Sequence, residues 1–251
     1  MRHPLRQLTG LFRRIGRRLV PPRRTPIDRP TFLIGTGRCG SSLLVEMLDS
    51  HPDLAGYPGE ANRLWHPSLY PLEKTDLKTA PIEMDGEAFT RLSLKHWPEG
   101  HAETVRAAFE RFLAQAGSHK KFFAKSAMVS FMMPRIRTIF PQARFIHLYR
   151  YGPSVITSYV KKNHGKYPNF EVSKDQYRLA CAQYWNDCLL RIERDRKNLG
   201  LRTGVDFYEL SYESLCENPQ HILEDLGRFF DVSADQFAFD VETVKSTNFK
   251  A

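Results

Sequence analysis

Residues 31–52 read TFLIGTGRCGSSLLVEMLDSHP, and the middle of this stretch has the residue types of an anion site. Gly35 and Gly40 have the spacing of a phosphate-binding loop. Gly37 and Gly40 permit the tight backbone that turns successive N–H groups toward one point. Thr36, Ser41 and Ser42 offer hydroxyls, Cys39 contributes an amide, and Arg38 sets a fixed positive charge inside the loop. A helix opening at Ser41 would add its positive end. The bland alternative is a strand-to-helix turn that binds nothing, because Gly-rich turns are common.

A nucleoside triphosphatase needs more than such a loop. It places a Lys after the second Gly and a carboxylate for Mg²⁺ at the end of another strand. Here Ser41 follows Gly40, and the apolar run RFIHLYR ends in Arg150. A cation at a strand end argues for a second anion. The residues therefore suit a nucleotide with a short 5′ chain, no essential metal and another phosphate elsewhere.

These residues need a scaffold of alternating strands and helices. Apolar runs predict strands at 31–35, 121–125, 143–150 and 205–210. Helical spacing predicts helices at 41–49, 88–95, 102–116, 128–140, 153–161, 175–198 and 219–230. Residues 50–86 are Pro-rich and read as a long irregular loop, and 163–172 as a polar loop. Strands separated by helices imply an α/β fold of three layers around a central parallel sheet. Ligands then bind at the carboxyl ends of the strands.

The motifs now resemble a known family. GTGRCGSSLLVEMLDSHPDL resembles the 5′-phosphosulfate loop of sulfotransferases that use 3′-phosphoadenosine-5′-phosphosulfate (PAPS), in the form seen in bacterial and tyrosylprotein-type members. FPQARFIHLYRYGPSVITSYVKK resembles the family's 3′-phosphate motif, with Arg150 at a strand end and Ser158 eight positions later. FYELSYESLCENPQHILEDLGRFFDV resembles its late segment. Together the three cover roughly residues 31–232 in family order. The resemblance implies a P-loop-like sulfotransferase architecture and transfer of a sulfuryl group from PAPS to an acceptor hydroxyl, without metal.

The same resemblance implies roles for individual residues. Thr36, Gly37, Arg38, Cys39, Gly40, Ser41 and Ser42 would hold the 5′-phosphosulfate, with Arg38 also acting on the transferring group. Arg150 and Ser158 would hold the 3′-phosphate, with Lys162 one turn further on. Tyr212 matches a Tyr near the nucleotide, though a core position is equally open to it. Glu60, in YPGEANRLW, would be the general base, and Lys125 the cation at the transferred group. Their plain alternatives are a solvated loop carboxylate and a strand-end surface Lys. His51 and His147 read as structural, one in the helix-ending HP and one alternating with buried strand residues. Trp65, Tyr70, Trp97 and Tyr167 lie in or beside loops and are left unassigned between acceptor pocket and core.

Two departures from the family stand out. RYGPS replaces an acidic turn after Arg150, which changes local pairing rather than phosphate binding. Family members commonly continue further with a basic segment that closes over the nucleotide. Lys245, Ser246 and Lys250 stand where that segment would begin, so a C-terminal truncation of the 30–251 domain is left open. The non-catalytic alternative is a sulfotransferase-like nucleotide-binding protein, which a Glu60 turned away from the loop would favour. A nucleotide kinase is the third reading, opposed by the missing Lys and Mg²⁺ carboxylate. Variable loops build acceptor pockets, so a saccharide, a lipid or a small metabolite remains open as acceptor.

Charge is uneven along the chain. The formal net charge is +9, yet residues 1–29 hold nine Arg against one Asp. The other 222 residues carry 28 Lys and Arg against 27 Asp and Glu, so the domain itself is near neutral. Leu5, Leu8, Phe12, Ile15 and Leu19 share one helical face, with Arg13, Arg14, Arg17 and Arg18 mostly off it. Residues 3–19 thus read as a basic amphipathic leader able to lie on an anionic membrane surface. A disordered tail, a helix packed on its own domain and a transit peptide are the alternatives. Basic and aromatic residues do not interleave into the domain, which disfavours nucleic acid as a partner. The four Cys at 39, 181, 188 and 216 form no CxxC pair, consistent with reduced thiols in a cytoplasmic protein.

Overall fold

The structure is a computed structural model that describes residues 24–65, 97–163, 173–242 and 244 of the 251. The expected leader helix over 3–19, the expected helix over 88–95, the loop residues 66–86 and 164–172, Tyr70, Tyr167 and the basic residues after 244 lie outside these.

Five parallel strands form one sheet in the order β2-β3-β1-β4-β5: β1 (Thr31–Ile34), β2 (Leu54–Gly56), β3 (Lys121–Lys125), β4 (Arg144–Tyr149) and β5 (Phe207–Ser211). Phe32, Ile34, Phe122, Ala124, Phe145 and Phe207 point to one face. There they pack against α3 (His101–Ala116), α4 (Met133–Ile139), α5 (Gly152–Asn163) and α6 (Lys174–Asn198). Leu33, Phe123, Ile146, Leu148 and Leu210 point to the other, against α1 (Ser41–Asp49) and α8 (Pro219–Phe230). The strands are mostly apolar because both faces are covered, as a parallel sheet requires. Two short helices, α2 (Asn62–Trp65) and α7 (Tyr212–Glu217), complete the regular elements used here. Among the described residues, no helix is long and apolar enough to cross a membrane.

Several boundaries differ from the sequence reading. Residues 50–65 are not wholly irregular, since they include β2 and α2. A three-residue edge strand is too short to show periodicity. The single helix expected over 128–140 is a 3₁₀ turn at Ala127–Phe131 followed by α4. Pro134 sits in the first turn of α4, where its missing N–H costs nothing, so the chain restarts there rather than continuing through it. The last strand begins at Phe207, two residues later than the apolar run suggested. Helix α6 is capped by Ser173, whose hydroxyl accepts the Gln176 N–H while the Gln176 side chain accepts the Ser173 N–H. α7 was not expected at all; Ser211 caps it by accepting the Ser214 N–H.

The strand order positions the site. The connection leaving β1 leads toward the β2 edge, while that leaving β4 leads toward β5. Their carboxyl ends therefore diverge at neighbouring strands, which is where such sheets open a crevice for ligand.

Candidate functional site

The loop between β1 and α1 is held from below by side chains that the sequence reading did not single out. Ser130, fully buried in the 3₁₀ turn, accepts the Gly35 N–H at 2.8 Å and donates to the Gly35 carbonyl at 2.9 Å. One hydroxyl thus satisfies both backbone groups where the strand stops. A Cβ on Gly37 would lie 2.1 Å from the Tyr159 hydroxyl, so this position must be Gly. Tyr159 in turn meets Tyr184 of α6 with ring centroids 6.1 Å apart, and the Tyr184 hydroxyl hydrogen-bonds the Gly37 backbone. Burial pushes the Tyr184 hydroxyl well above its ordinary range, so it stays a neutral prop. Only helical periodicity marked Ser130, Tyr159 and Tyr184, and periodicity reports burial, not contact with a loop.

The loop residues divide into two sets. Thr36 is buried, and its hydroxyl faces inward with no hydrogen-bond partner. Cys39 packs among Leu33, Leu44 and Leu48, and burial pushes its thiol up to about 11. Both therefore offer a ligand their backbone rather than their side chains. Ser41, partly exposed, hydrogen-bonds the Cys39 thiol, and Ser42 is exposed. Arg38 is exposed with φ 67, a left-handed backbone that costs a residue with a Cβ about 1–2 kcal/mol. Such strain persists where surrounding structure fixes it, commonly at functional sites. It sends the Arg38 guanidinium across to α5, where Nε donates to the Ser158 hydroxyl at 2.9 Å. Lys162 lies one turn further along α5 and is exposed.

Arg150 follows β4 and reaches the same region from the other side. Its guanidinium lies over the Tyr212 ring, 4.3 Å from the centroid. Gly40 also lies against that ring, where a Cβ would come within 2.1 Å of it and where φ is 98. Tyr212 therefore joins the start of α1 to the end of β4. Burial pushes its hydroxyl up to about 12. The Arg150 carbonyl accepts the Trp185 indole N–H at 3.2 Å. Glu213 accepts the Tyr151 N–H at 3.0 Å, so α7 supplies a carboxylate to the turn whose own acidic residues are absent.

Glu60 and Lys125 arrive from separate parts of the chain. Lys125 ends β3 and is the Cα partner of Leu33 in β1, so it stands beside the loop. Glu60 lies in the turn beyond β2. Lys125 Nζ and Glu60 Oε1 are 3.6 Å apart, with side chains 18% and 43% exposed. A pair this open to water adds less than about 1 kcal/mol to stability. Its interest is that a carboxylate and an ammonium meet at the loop's mouth.

The remaining candidates have structural surroundings. His51 is buried, accepts the Asp53 N–H at 3.0 Å and meets the Ser233 carbonyl at 2.9 Å. His147 is buried against Glu209, 2.8 Å away. Trp65 is core, edge-on to Phe32, and Trp97 lies partly buried under the Arg135 guanidinium. The four cysteines are buried, and none of them is in a disulfide.

Comparison with known proteins places this arrangement. A family model described as "Sulfotransferase family" matches residues 30–236. No curated protein sequence matches. Among solved structures, the sulfotransferase domain from the curacin biosynthetic pathway superposes with a TM-score of 0.60 at 21% identity, covering 87% of this chain and 80% of its own. The sulfotransferase domain of the Synechococcus PCC 7002 olefin synthase gives 0.57 at 21% identity, covering 90% and 82%. A sulfotransferase from Mycobacterium avium gives 0.54 at 15% identity, covering 88% and 75%. At these identities the superpositions establish the shared fold.

Proposed function

Since the chain belongs to the sulfotransferase family, we propose that it is an enzyme that moves a sulfuryl group from PAPS to an acceptor hydroxyl. The observation that carries this reading is the meeting of Glu60 and Lys125 at 3.6 Å beside the Gly35–Ser42 loop. A carboxylate to take a proton and an ammonium to meet developing charge are what an in-line transfer needs, and packing stability alone does not require the pair.

The nucleotide would lie across the carboxyl ends of β1 and β4. The loop amides, Ser41, Ser42 and Arg38 would surround the 5′-phosphosulfate, where the helix start and the guanidinium both favour an anion. Arg150, Ser158 and Lys162 would take the 3′-phosphate, with Arg suited to two parallel hydrogen bonds. Glu60 removes the acceptor's hydroxyl proton as that oxygen attacks sulfur. The bond from sulfur to the bridging phosphate oxygen breaks, and its electron pair leaves with 3′-phosphoadenosine-5′-phosphate (PAP). Arg38 and Lys125 neutralise the charge that builds on the leaving phosphate and the sulfuryl oxygens. The protons and charges balance with no metal in the step. The acceptor is a hydroxyl compound of the saccharide, lipid or small-metabolite class. A cytoplasmic location, for which the scattered cysteines speak, and a peripheral contact of residues 3–19 with an anionic membrane, for which the leader's basic amphipathic sequence speaks, are part of this proposal.

Glu60→Gln tests the reading. With PAPS as donor and a panel of hydroxyl acceptors, the wild type transfers sulfate and the variant loses about 10²–10⁴-fold in kcat, the usual share of a general base. PAP affinity stays near wild type. Equal turnover by the variant would remove Glu60 from the mechanism. A wild type that binds PAP but transfers to no acceptor would favour a nucleotide-binding protein without catalysis.

A further inference from the structure

We infer that Arg135 selects an acceptor that carries an oxyanion, a carboxylate or a phosphate, in addition to the hydroxyl that receives the sulfuryl group. The inference rests on the reading of Glu60 as the group that meets that hydroxyl. The Arg135 guanidinium lies over the Trp97 ring, 5.4 Å from its centroid, and among the described residues no carboxylate pairs with it. Arg137, two residues on, is placed differently: it donates to the Pro141 carbonyl and stands 3.8 Å from Asp206. Arg150 over Tyr212, at 4.3 Å, has the same arrangement as Arg135, and Arg150 is the residue read as a phosphate ligand. A ring fixes the plane of a guanidinium and leaves its N–H edge open, which suits two parallel hydrogen bonds to an oxyanion. Arg135 also stands in the first turn of α4, where the helix dipole disfavours a cation, so local helix stability does not account for it.

Arg135 and Trp97 both come to the side of the sheet where Glu60 and Lys125 meet. β3 ends at Lys125, and the 3₁₀ turn that follows holds Gly35 through Ser130, so α4 starts at the level of the loop. The Trp97 ring meets the His101 ring at 4.7 Å between centroids, and His101 Nε2 lies 2.7 Å from the Leu64 carbonyl. Leu64 belongs to α2, and its N–H donates to the carbonyl of Ala61, the residue directly after Glu60. One helical turn and one imidazole thus link Glu60 to the stacked Trp97 and Arg135. The charges around them are uneven. Lys125 is matched by Glu60 at 3.6 Å, and the nucleotide's anions would take Arg38, Arg150 and Lys162. Arg135 then keeps a positive charge on the acceptor side with no counter-charge among the described residues. An acceptor that sets its hydroxyl at Glu60 and an oxyanion at Arg135 supplies one. Among saccharides, lipids and small metabolites, this picks the anionic members, such as hydroxy acids and phosphorylated alcohols.

Calorimetric titration of the PAP-loaded protein tests this with three sets of probes. These are ω-hydroxycarboxylates of graded chain length, the matching ω-hydroxyalkyl phosphates, and the neutral methyl esters of the carboxylates. The wild type should bind at least one anionic set more tightly than the esters, and the tighter set identifies the oxyanion. Arg135→Gln removes the charge. It should weaken the anionic probes about ten- to a hundredfold, the worth of a hydrogen bond to a charged group, and leave the esters unchanged. Arg135→Lys keeps the charge without the planar fork and should fall between. Arg135 is only partly buried, so both variants are expected to fold. A residue that merely covers Trp97 would lower thermal stability in Arg135→Gln without changing the preference for anion over ester. An unchanged preference, or no binding by any anionic probe, overturns the inference. If PAP fails to bind the wild type, the nucleotide reading falls instead, and the same titrations on the unloaded protein still read Arg135.

Discussion

Ser130 shows what a single hydroxyl contributes at the residue scale. It is the shared partner of a buried N–H and a buried C=O at the point where β1 becomes the loop. Ser130→Ala leaves both backbone groups unpaired, and each orphan costs about 1–3 kcal/mol. Chemical denaturation should show a loss of about 2–6 kcal/mol for the two together, while Ser130→Thr, if its hydroxyl is accommodated, recovers most of it. A loss below about 0.5 kcal/mol would mean that the Gly35 groups find other partners. The candidate ligands were legible at this scale because their types declare their chemistry. Arg38, Arg150, Glu60 and Lys125 are charged residues at strand ends or turns. The supports were not legible, because Ser130, Tyr159 and Tyr184 lie in helical segments as ordinary buried positions and act through contacts between residues far apart in the chain. Thr36 and Cys39 have chemically suggestive side chains, yet both are turned into the protein.

At the scale of elements, the pairing of β4 with β5 carries a pH dependence. His147 and Glu209 are Cα partners across the two strands, and their side chains meet at 2.8 Å. The His147 hydrogen bond holds the Glu209 carboxyl below its ordinary value of 4.5. A depressed carboxyl adds stability that is present above the unfolded value and is lost as pH falls through the lower folded one. Stability should therefore decline below about pH 4.5, and Glu209→Gln should flatten that part of the curve. Glu209 is 43% exposed, so solvent screening keeps the effect small. An unchanged acid limb in Glu209→Gln would show that other carboxyls set it. The element map itself was largely readable. Strands covered on both faces are mostly apolar, and β1, β3, β4 and β5 carry the apolar runs that marked them. The fifth, β2, has three residues, and the helix break before α4 turned on where Pro134 fell within a turn.

The whole molecule gathers the ends of β1, β3 and β4, the turn beyond β2, and helices α5 and α7 around one crevice. Sequence order concealed this, since Glu60 and Lys125 are 65 positions apart and Arg38 and Ser158 are 120. Parallel topology explains it, because every strand delivers its carboxyl end to the same side. The central claim is that this crevice takes a nucleotide with two separate anions. The most direct test is the thermal stability of the protein titrated with PAP, alongside AMP and Mg-ATP. At a PAP concentration 100 times its Kd, the native state gains about 2.7 kcal/mol, which raises the unfolding midpoint without added metal. AMP and Mg-ATP at equal concentration should shift it less. No shift with PAP, or a larger one with Mg-ATP, would contradict the account.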